Sequence, residues 1–198
     1  MFGLPQATEL SKQLPKKAIY AKFNLSPQQR AKFDEDVSRI TIINEISPAT
    51  VAIEPGEEIK SFYILLLLLK TEDYDERIIS MLSKLIEQNM LFVLEYGDRV
   101  RLAVYRNKVI STEWQAKETT SVVLKGLNLD AVWQNIIVQI GDVRIEQGNT
   151  LDEQLATDER RAKLQKEIDK LEKQARAEKQ PKKKFEWVRK INALKGEV

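Results

Sequence analysis

Carboxylates and lysines are the side chains that could carry catalysis in this chain, because its 198 residues include no histidine and no cysteine. Thiolate zinc sites and Ser-His-Asp or Cys-His arrangements are therefore excluded. The remaining candidate is a Mg²⁺-dependent nuclease site, in which carboxylates hold the metal and a lysine stabilises phosphate charge. Glu58 and Lys60 match Glu-x-Lys, and Glu45 could add a second carboxylate. Such triplets are common in a charge-rich sequence, so we expect solvated loop charges here and assign no catalytic residue, metal or cofactor.

The segment EKQPKKKFEWVRKINALK, near the C-terminus, combines basic and aromatic residues. Its basic side chains can contact phosphates while an aromatic ring stacks on an exposed base. Trp187, Ile191 and Leu194 are spaced i, i+4, i+7, which also suits a helix that binds in the groove of a partner protein. A helix that docks on the rest of the chain, or on a second copy, fits this spacing equally. The candidate binding residues are Lys182, Lys183, Lys184, Phe185, Trp187, Arg189, Lys190, Ile191 and Leu194.

The charge distribution favours an interaction tail. The formal net charge is only +2, but residues 152–198 hold 14 Lys and Arg against 10 Asp and Glu. A positive end on a mildly negative body is typical of a segment that binds a partner. The apolar face of the tail is small, so we do not expect it to bind a membrane surface.

No segment of the sequence predicts membrane insertion or export. The most hydrophobic run, FYILLLLL, spans eight residues, whereas a membrane helix needs about 20. The N-terminal segment MFGLPQATEL lacks the basic region and apolar stretch of a signal peptide. We therefore expect a cytoplasmic protein.

The elements that must position these residues begin with a predicted strand and a predicted helix. The segment KKAIYAKF favours a short strand, because β-branched and aromatic residues lie between polar neighbours. In SPQQRAKFDEDVSRI, Ser26 and Gln29 form a capping-box pattern and Pro27 suits the first helical position. This second segment therefore predicts a helix.

Three further strands are predicted before residue 71. TIINEIS and TVAIEP favour short strands separated by a Ser-Pro pair, since the residue before proline prefers extended geometry. SFYILLLLLK is apolar without alternation, which is typical of a central strand covered on both faces. Periodicity alone does not distinguish such a run from a buried helix, and its short length favours the strand.

The second half of the body predicts two helices around a meander. DYDERIISMLSKLIEQN favours a helix capped by Asp73. MLFVLEYGDRVRLAVYRNKVISTEW predicts antiparallel strands joined by turns at Gly97-Asp98 and Asn107-Lys108. GLNLDAVWQNIIVQIG favours a helix with Asn128 as its cap and Gly141 at its end. The apolar stripe of that helix is Leu129, Trp133, Ile136 and Ile140.

A charged helical arm is predicted after the body. Thr150 and Glu153 form a capping-box pattern, and Pro181 interrupts the helix that follows. The apolar seam, which is coiled-coil-like and about two heptads long, consists of Leu164, Ile168, Leu171 and Ala175. We thus expect an α+β domain over residues 1–148, with a mixed sheet of about five or six strands and three helices, and an arm over residues 149–198.

The blocks MFGLPQATEL, LPKKAIYAKF, RITIINEISPATVAI, NMLFVLEYGDRVRLAVY and GLNLDAVWQNIIVQI occur in this order. Together they resemble the bacterial domain-of-unknown-function family 4391, over roughly the first 145 residues. The resemblance implies no established activity and no functional residues. It does imply an association with helicases and DNA methyltransferases of restriction or phage-defence type, and hence a DNA-related accessory role.

Three hypotheses follow for the function. The first is a non-enzymatic accessory subunit whose arm binds a helicase-type or DNA methyltransferase-type partner and contacts nucleic acid. The second is a Mg²⁺-dependent nuclease-like enzyme that uses Glu45, Glu58 and Lys60. The third is a homodimeric structural protein in which the arm is the dimer contact.

Overall fold

The computed structural model describes residues 2–85 and 88–196. The chain divides into two compact units, Met1–Val143 and Arg144–Val198. Within the described residues, the strands of the first unit are β1 (Glu9–Gln13), β2 (Val37–Ile46), β3 (Phe62–Leu69), β4 (Asn89–Tyr96), β5 (Arg99–Arg106), β6 (Lys108–Ser111) and β7 (Gln115–Ala116). Its helices are α1 (Lys16–Lys22), α2 (Pro27–Asp36), α3 (Arg77–Ser83) and α4 (Leu129–Gly141).

The strands form one mixed sheet in the order β1-β2-β3-β4-β5-β6, and β7 also pairs with β5. All neighbours are antiparallel except β3 and β4, which run parallel. The chain reaches β4 from β3 through α3, as parallel neighbours require a crossover. The leucine run of β3 therefore lies in the centre of the sheet, which confirms the predicted central strand.

Successive residues of β3 point to opposite faces of the sheet, and each face has its own helices. Phe62 packs on Trp133 of α4, with the two ring centroids 5.0 Å apart. On the other face, Leu65 belongs to a buried cluster with Ile79 and Leu82 of α3. Helices thus cover both faces of β3, which explains why its sequence is apolar throughout.

Several predicted elements are confirmed. The Ser26 hydroxyl accepts the Gln29 N–H at 3.3 Å, and the Gln29 side chain accepts the Ser26 N–H at 2.9 Å, so the capping box of α2 forms. Asn128 caps α4 by accepting the Ala131 N–H at 2.9 Å. The meander β4-β5-β6 forms with turns at Gly97 and Asn107, whose φ angles are 61° and 60°. The residues of the predicted stripe on α4, Leu129, Trp133, Ile136 and Ile140, are all buried.

The segment KKAIYAKF was wrongly predicted as a strand, because it forms α1. Pro15 precedes the first turn, and Ile19 is fully buried against the same cluster as α2 and α3. The Tyr20 hydroxyl donates to Asp34 of α2 at 2.7 Å. These tertiary contacts are made from one face of a helix, and they outweigh the weak strand pattern of the sequence.

The segment TVAIEP was also wrongly predicted as a strand. Its start is a turn in which the Thr50 hydroxyl donates to the Glu45 carbonyl oxygen at 2.9 Å and accepts the Ser47 N–H at 2.9 Å. Glu54 makes one isolated bridge to Asn128, outside the named strands. Local side-chain hydrogen bonds therefore replace strand pairing here.

The predicted helix at 73–89 is shorter than expected and begins at Arg77. Tyr74 is buried, and the Asp75 N–H donates to Asp36 at 3.0 Å, which holds this segment in a turn before the helix. Residues 86 and 87 of the prediction lie outside the described residues. The α+β class and the mixed sheet are confirmed. Among the described residues there are six helices, of which four lie in the first unit where three were expected, and the sheet has six to seven strands instead of five or six.

The second unit contains α5 (Leu151–Ala177) and α6 (Pro181–Lys195), joined by three residues. The capping box predicted at the start of α5 forms, because the Thr150 hydroxyl accepts the Glu153 N–H at 3.3 Å and the Glu153 carboxylate accepts the Thr150 N–H at 2.8 Å. These hydrogen bonds lower the pKa of Glu153. Pro181 occupies the first turn of α6, so the helical arm is interrupted before it, as predicted, and continues as a second helix.

Candidate functional site

Helices α5 and α6 pack together as a helical hairpin. The buried centre of their interface consists of Ile168, Leu171, Ala175 and Ile191, with Trp187 and Leu194 partly buried against it. A helix of 15 residues is marginal alone in water, so α6 needs this packing. The three apolar residues predicted to dock α6 therefore lie against α5 of the same chain.

Two ion pairs join the helices across the hairpin. Lys190 lies 3.5 Å from Glu167, and Lys195 lies 2.8 Å from Glu172. All four side chains are partly exposed, and such pairs contribute about 0–1 kcal/mol each. These ion pairs therefore contribute little to the stability of the hairpin, and their main effect is on how the two helices align.

The side of α6 that faces away from α5 carries basic and aromatic residues. Lys182, Phe185 and Arg189 are spaced i, i+3, i+7 and so share one helical face. Phe185 is 71% exposed. Within the described residues, no ion pair involves four basic residues of α6, namely Lys182, Lys183, Lys184 and Arg189. We call the side chains of Lys182, Phe185 and Arg189 the outer face.

The positive charge of the hairpin is concentrated on α6. This helix has six basic residues and one acidic residue, whereas α5 has seven of each. Three lysines follow Pro181 directly, and the first turn of α6 contains no acidic residue. Because the N-terminal end of a helix is positive, cations there are unfavourable, and an anion would offset that cost. Folding of the hairpin therefore does not account for these lysines.

A groove of about 460 Å³ runs beside the outer face, between the two helices. Trp187 and Leu171 supply its apolar wall. The remaining lining residues are Lys166, Glu167, Lys170, Gln174 and Lys190. The tail pattern identified Trp187 and Lys190, but no periodic signal in the sequence connected them with the lysines of α5. We call this feature the Trp187 groove.

The nuclease candidates lie on different elements of the first unit, β2 and the loop before β3. Glu45 pairs with Tyr63 in β3, and Tyr63 packs against the cluster on the α3 face. Glu58 lies in the loop before β3 and is exposed. The Lys60 ammonium donates to the Gly56 carbonyl oxygen at 2.6 Å. Among the described residues, no group of three or more His, Cys, Asp or Glu side chains could hold a metal ion.

The loop that carries Glu58 is bound to the start of α4 by one carboxylate. Asp130 accepts the main-chain N–H groups of Ile59 at 2.8 Å, Glu57 at 2.7 Å and Glu58 at 3.3 Å. The hydrogen bond from Ile59 is the main cause of a lowered Asp130 pKa. The sequence shows an acid in the first turn of a helix, but its partners lie more than seventy residues earlier and leave no local signal.

A second cavity, of about 500 Å³, lies between α2 and α3 in the first unit. It is lined by Phe33 and other apolar residues, and also by charged residues that are already paired. Lys32 lies 2.8 Å from the fully buried Asp36 carboxylate, and Arg77 lies 2.6 Å from Asp75. Two of its three cations are thus paired with carboxylates, and the third, Lys84, lies 5.9 Å from the centroid of the Tyr105 ring. No signal in the sequence indicated this cavity, because Asp36 looks like an ordinary acid at the end of a helix.

A mixed α+β domain followed by a basic helical hairpin defines the class of this protein. The chain belongs to the family described as Domain of unknown function (DUF4391), whose family model matches residues 2–198. The match extends beyond the first 145 residues that the resemblance covered, so it includes the hairpin. The chain matches no curated protein and no solved structure. Within the part of the chain that the structure describes, none of the helices is long and apolar enough to span a membrane.

Proposed function

We propose that this protein is a non-enzymatic accessory subunit. The outer face of its helical hairpin binds the phosphate groups of a nucleic acid. The resemblance described above adds a setting, a bacterial DNA-processing system of restriction or phage-defence type. In that setting, a helicase-type or DNA methyltransferase-type protein is the proposed partner. The hairpin supplies the contact with nucleic acid, and no reaction is assigned to the chain.

One observation carries this proposal. After Trp187, Ile191 and Leu194 pack on α5, α6 still presents an unpaired cationic surface with an exposed aromatic ring. Clustered cations bind nucleic acid by releasing counterions from the phosphate backbone. The exposed ring of Phe185, adjacent to these cations, offers an apolar contact beside the phosphates. Nucleic acid therefore suits both the cations and the exposed aromatic ring of this surface.

The packing of the hairpin also bears on the alternatives. A partner groove that takes Ile191 as an anchor would require α6 to leave α5, because Ile191 is buried. A homodimer that forms to bury the same three residues has less to gain, because α5 already buries Ile191 and packs against Trp187 and Leu194. Binding to the outer face requires neither the release of α6 nor a second copy.

The test is a salt-titrated binding assay with a fluorescein-labelled 20-mer duplex. The test variant is Lys182→Glu/Arg189→Glu, which reverses two charges on the outer face. The matched control is Arg160→Glu/Lys173→Glu, which makes the same charge change at exposed positions of α5. Circular dichroism confirms that each variant keeps its helix content.

We expect the wild-type affinity to fall steeply with salt. The test variant should bind far more weakly, and its slope of log K against log salt should be smaller by about 2, since each lost phosphate contact removes about 0.9. The control should retain most of the wild-type affinity. Equal losses in both variants would show that only net charge matters, and absence of wild-type binding would refute the proposal.

A further inference from the structure

We infer that the Trp187 groove holds an unpaired nucleobase, which makes the hairpin selective for single-stranded nucleic acid. This inference rests on the proposed function and adds the class of nucleic acid to it. The outer face alone would bind the phosphates of a duplex and of a single strand alike. Selectivity therefore needs a feature that only an unpaired base can use.

The shape of the groove suits a planar aromatic ligand. Trp187 is only partly buried by α5, and together with Leu171 it forms the apolar wall of the groove. The volume of about 460 Å³ lies within the range of about 300–1,000 Å³ that is usual for small-ligand sites. Base–tryptophan stacking needs accessible ring surface beside an apolar neighbour, and Trp187 is half-buried and lines the groove next to Leu171.

The charges around the groove suit a base that is attached to phosphates. Lys166 and Lys170 of α5 and Lys190 of α6 line it, against a single acid, Glu167. Glu167 lies 3.5 Å from Lys190, so the two α5 lysines remain uncompensated by it. This excess of cations complements the phosphates on either side of an inserted base.

The groove and the outer face lie on the same helix, with the exposed Glu186 between them. Lys183, Trp187 and Lys190 are spaced i, i+4, i+7, so they form one stripe along the helix. That stripe lies between the outer face and α5. A strand that follows α6 could therefore place phosphates on Lys182 and Arg189 and turn a base into the groove.

A paired base cannot reach this site. In a duplex, both faces of each base are covered by its stacked neighbours, whereas single strands can splay a base onto an aromatic side chain. The groove therefore distinguishes the two forms by access rather than by base sequence. We expect tight binding to oligo(dT), which has little stacking of its own to lose.

The experiment compares fluorescein-labelled oligo(dT) 20-mer with the 20-mer duplex, using the full-length chain. Trp187→Leu removes the stacking ring but keeps an apolar contact with α5. Phe185→Leu is the matched control, since it removes the exposed ring of the outer face. We expect Trp187→Leu to weaken oligo(dT) binding about 10-fold or more while duplex binding changes little. Phe185→Leu should preserve most of the single-strand preference.

A second variant covers the case in which Trp187→Leu loosens the hairpin. Lys170→Glu changes the rim of the groove without touching the buried interface, and Lys173→Glu is its control on the same helix, outside the groove. Lys170→Glu should weaken oligo(dT) binding more than duplex binding. Oligo(dT) should also quench tryptophan fluorescence in the wild type but not in Trp187→Leu.

The outcomes separate this inference from the proposed function. If the chain binds both nucleic acids equally, and neither Trp187→Leu nor Lys170→Glu changes this, the groove does not bind a base. The proposal that the outer face binds phosphates would remain. Loss of the single-strand preference in Phe185→Leu instead would move the stacking site to the outer face and would also overturn it. If the wild type binds neither probe, both proposals fail.

Discussion

The Asp130 carboxylate accepts the main-chain N–H of Ile59 at 2.8 Å and so joins the first turn of α4 to the loop before β3. The Leu129 N–H completes the junction by donating to the Glu54 carbonyl oxygen at 3.0 Å. Negative charge is favourable at this end of a helix, so Asp130 serves the helix and the loop together. The loop with the Glu-x-Lys pattern is thus fixed by a structural contact.

Replacing Asp130 with Asn should destabilise the protein in a pH-dependent way. Hydrogen bonds from Ile59 and its neighbours hold the Asp130 pKa below its usual value, so the carboxylate favours the folded state. That contribution is complete above the unfolded-state pKa of about 4 and is lost as pH falls through the lower folded-state pKa. The difference in the thermal-unfolding midpoint between wild type and Asp130→Asn should be constant from pH 8 to 5 and should shrink below pH 4.

The measurement is thermal unfolding at a series of pH values. Glu58→Gln is the control, because this exposed carboxylate lies in the same loop and its side chain makes no hydrogen bond to the described residues. A difference between wild type and Asp130→Asn that persists unchanged at pH 3 would contradict the role of the charged carboxylate.

Gly56→Ala should destabilise the protein, and most of its cost should depend on Asp130. A Cβ on Gly56 would overlap the Asp130 carboxylate, which three N–H groups hold in place. Overpacking of this kind costs about 1–3 kcal/mol. The overlapping atoms are absent in Asp130→Ala, so Gly56→Ala should cost much less in that background. Urea unfolding of the two single variants and the double variant tests this, and simple additivity would argue against the overlap.

Elements with a strong local signal were predictable from the sequence. The apolar run of β3 is short, the Ser26 capping box marks a helix start, and the stripe of α4 has the helical period, and all three form. By contrast, the sequence pattern of α1 is weak, so tertiary contacts decide that this segment forms a helix. Its Ile19 side chain is fully buried, and no local residue announces that burial.

The candidate site was predictable only in its residue types. Lysines and aromatic residues in the tail indicated a binding segment, and the spacing of Trp187, Ile191 and Leu194 indicated an apolar face. Such spacing does not reveal what covers the face, and α5, a partner and a second copy remained equivalent. The lysines of α5 join the Trp187 groove only through hairpin packing, which depends on both helices at once.

Buried Tyr74 and half-buried Tyr20 should respond oppositely to removal of their hydroxyl groups. The Tyr74 hydroxyl is buried and makes no well-formed hydrogen bond to the described residues. Burial raises its pKa, and the nearby Arg101 guanidinium partly opposes that rise. The Tyr20 hydroxyl instead donates to Asp34 at 2.7 Å. Since an unsatisfied buried polar group is costly, Tyr74→Phe should leave stability unchanged or increase it. Tyr20→Phe should cost about 1 kcal/mol.

Urea unfolding of the two phenylalanine variants measures this difference, with each variant controlling for the other. Tyr20→Phe should also raise the Asp34 pKa, because Lys16 and Tyr20 both hold it below its usual value. A loss in Tyr74→Phe as large as that in Tyr20→Phe would reveal a partner for the Tyr74 hydroxyl and would contradict the prediction.

Ile191→Ala should open the hairpin locally without affecting the sheet. Ile191 is buried against Ile168, Leu171 and Ala175, and truncating a buried isoleucine costs about 2 kcal/mol or more. Opening of α6 would then become about 30-fold more frequent, since 1.4 kcal/mol corresponds to a factor of ten. Hydrogen exchange of peptides from α6 should accelerate by that factor, while peptides from β3 should be unchanged.

Val188→Ala is the matched control for this prediction, because Val188 lies one turn earlier on α6 and is 41% exposed. Exposed truncations usually change stability by less than about 0.5 kcal/mol, so exchange in α6 should stay near the wild-type rate. If both variants accelerate exchange equally, the buried cluster is not what holds α6 on α5. If only Ile191→Ala does so, that variant can also show whether nucleic-acid binding requires a closed hairpin, because the Trp187 groove exists only when α6 lies on α5.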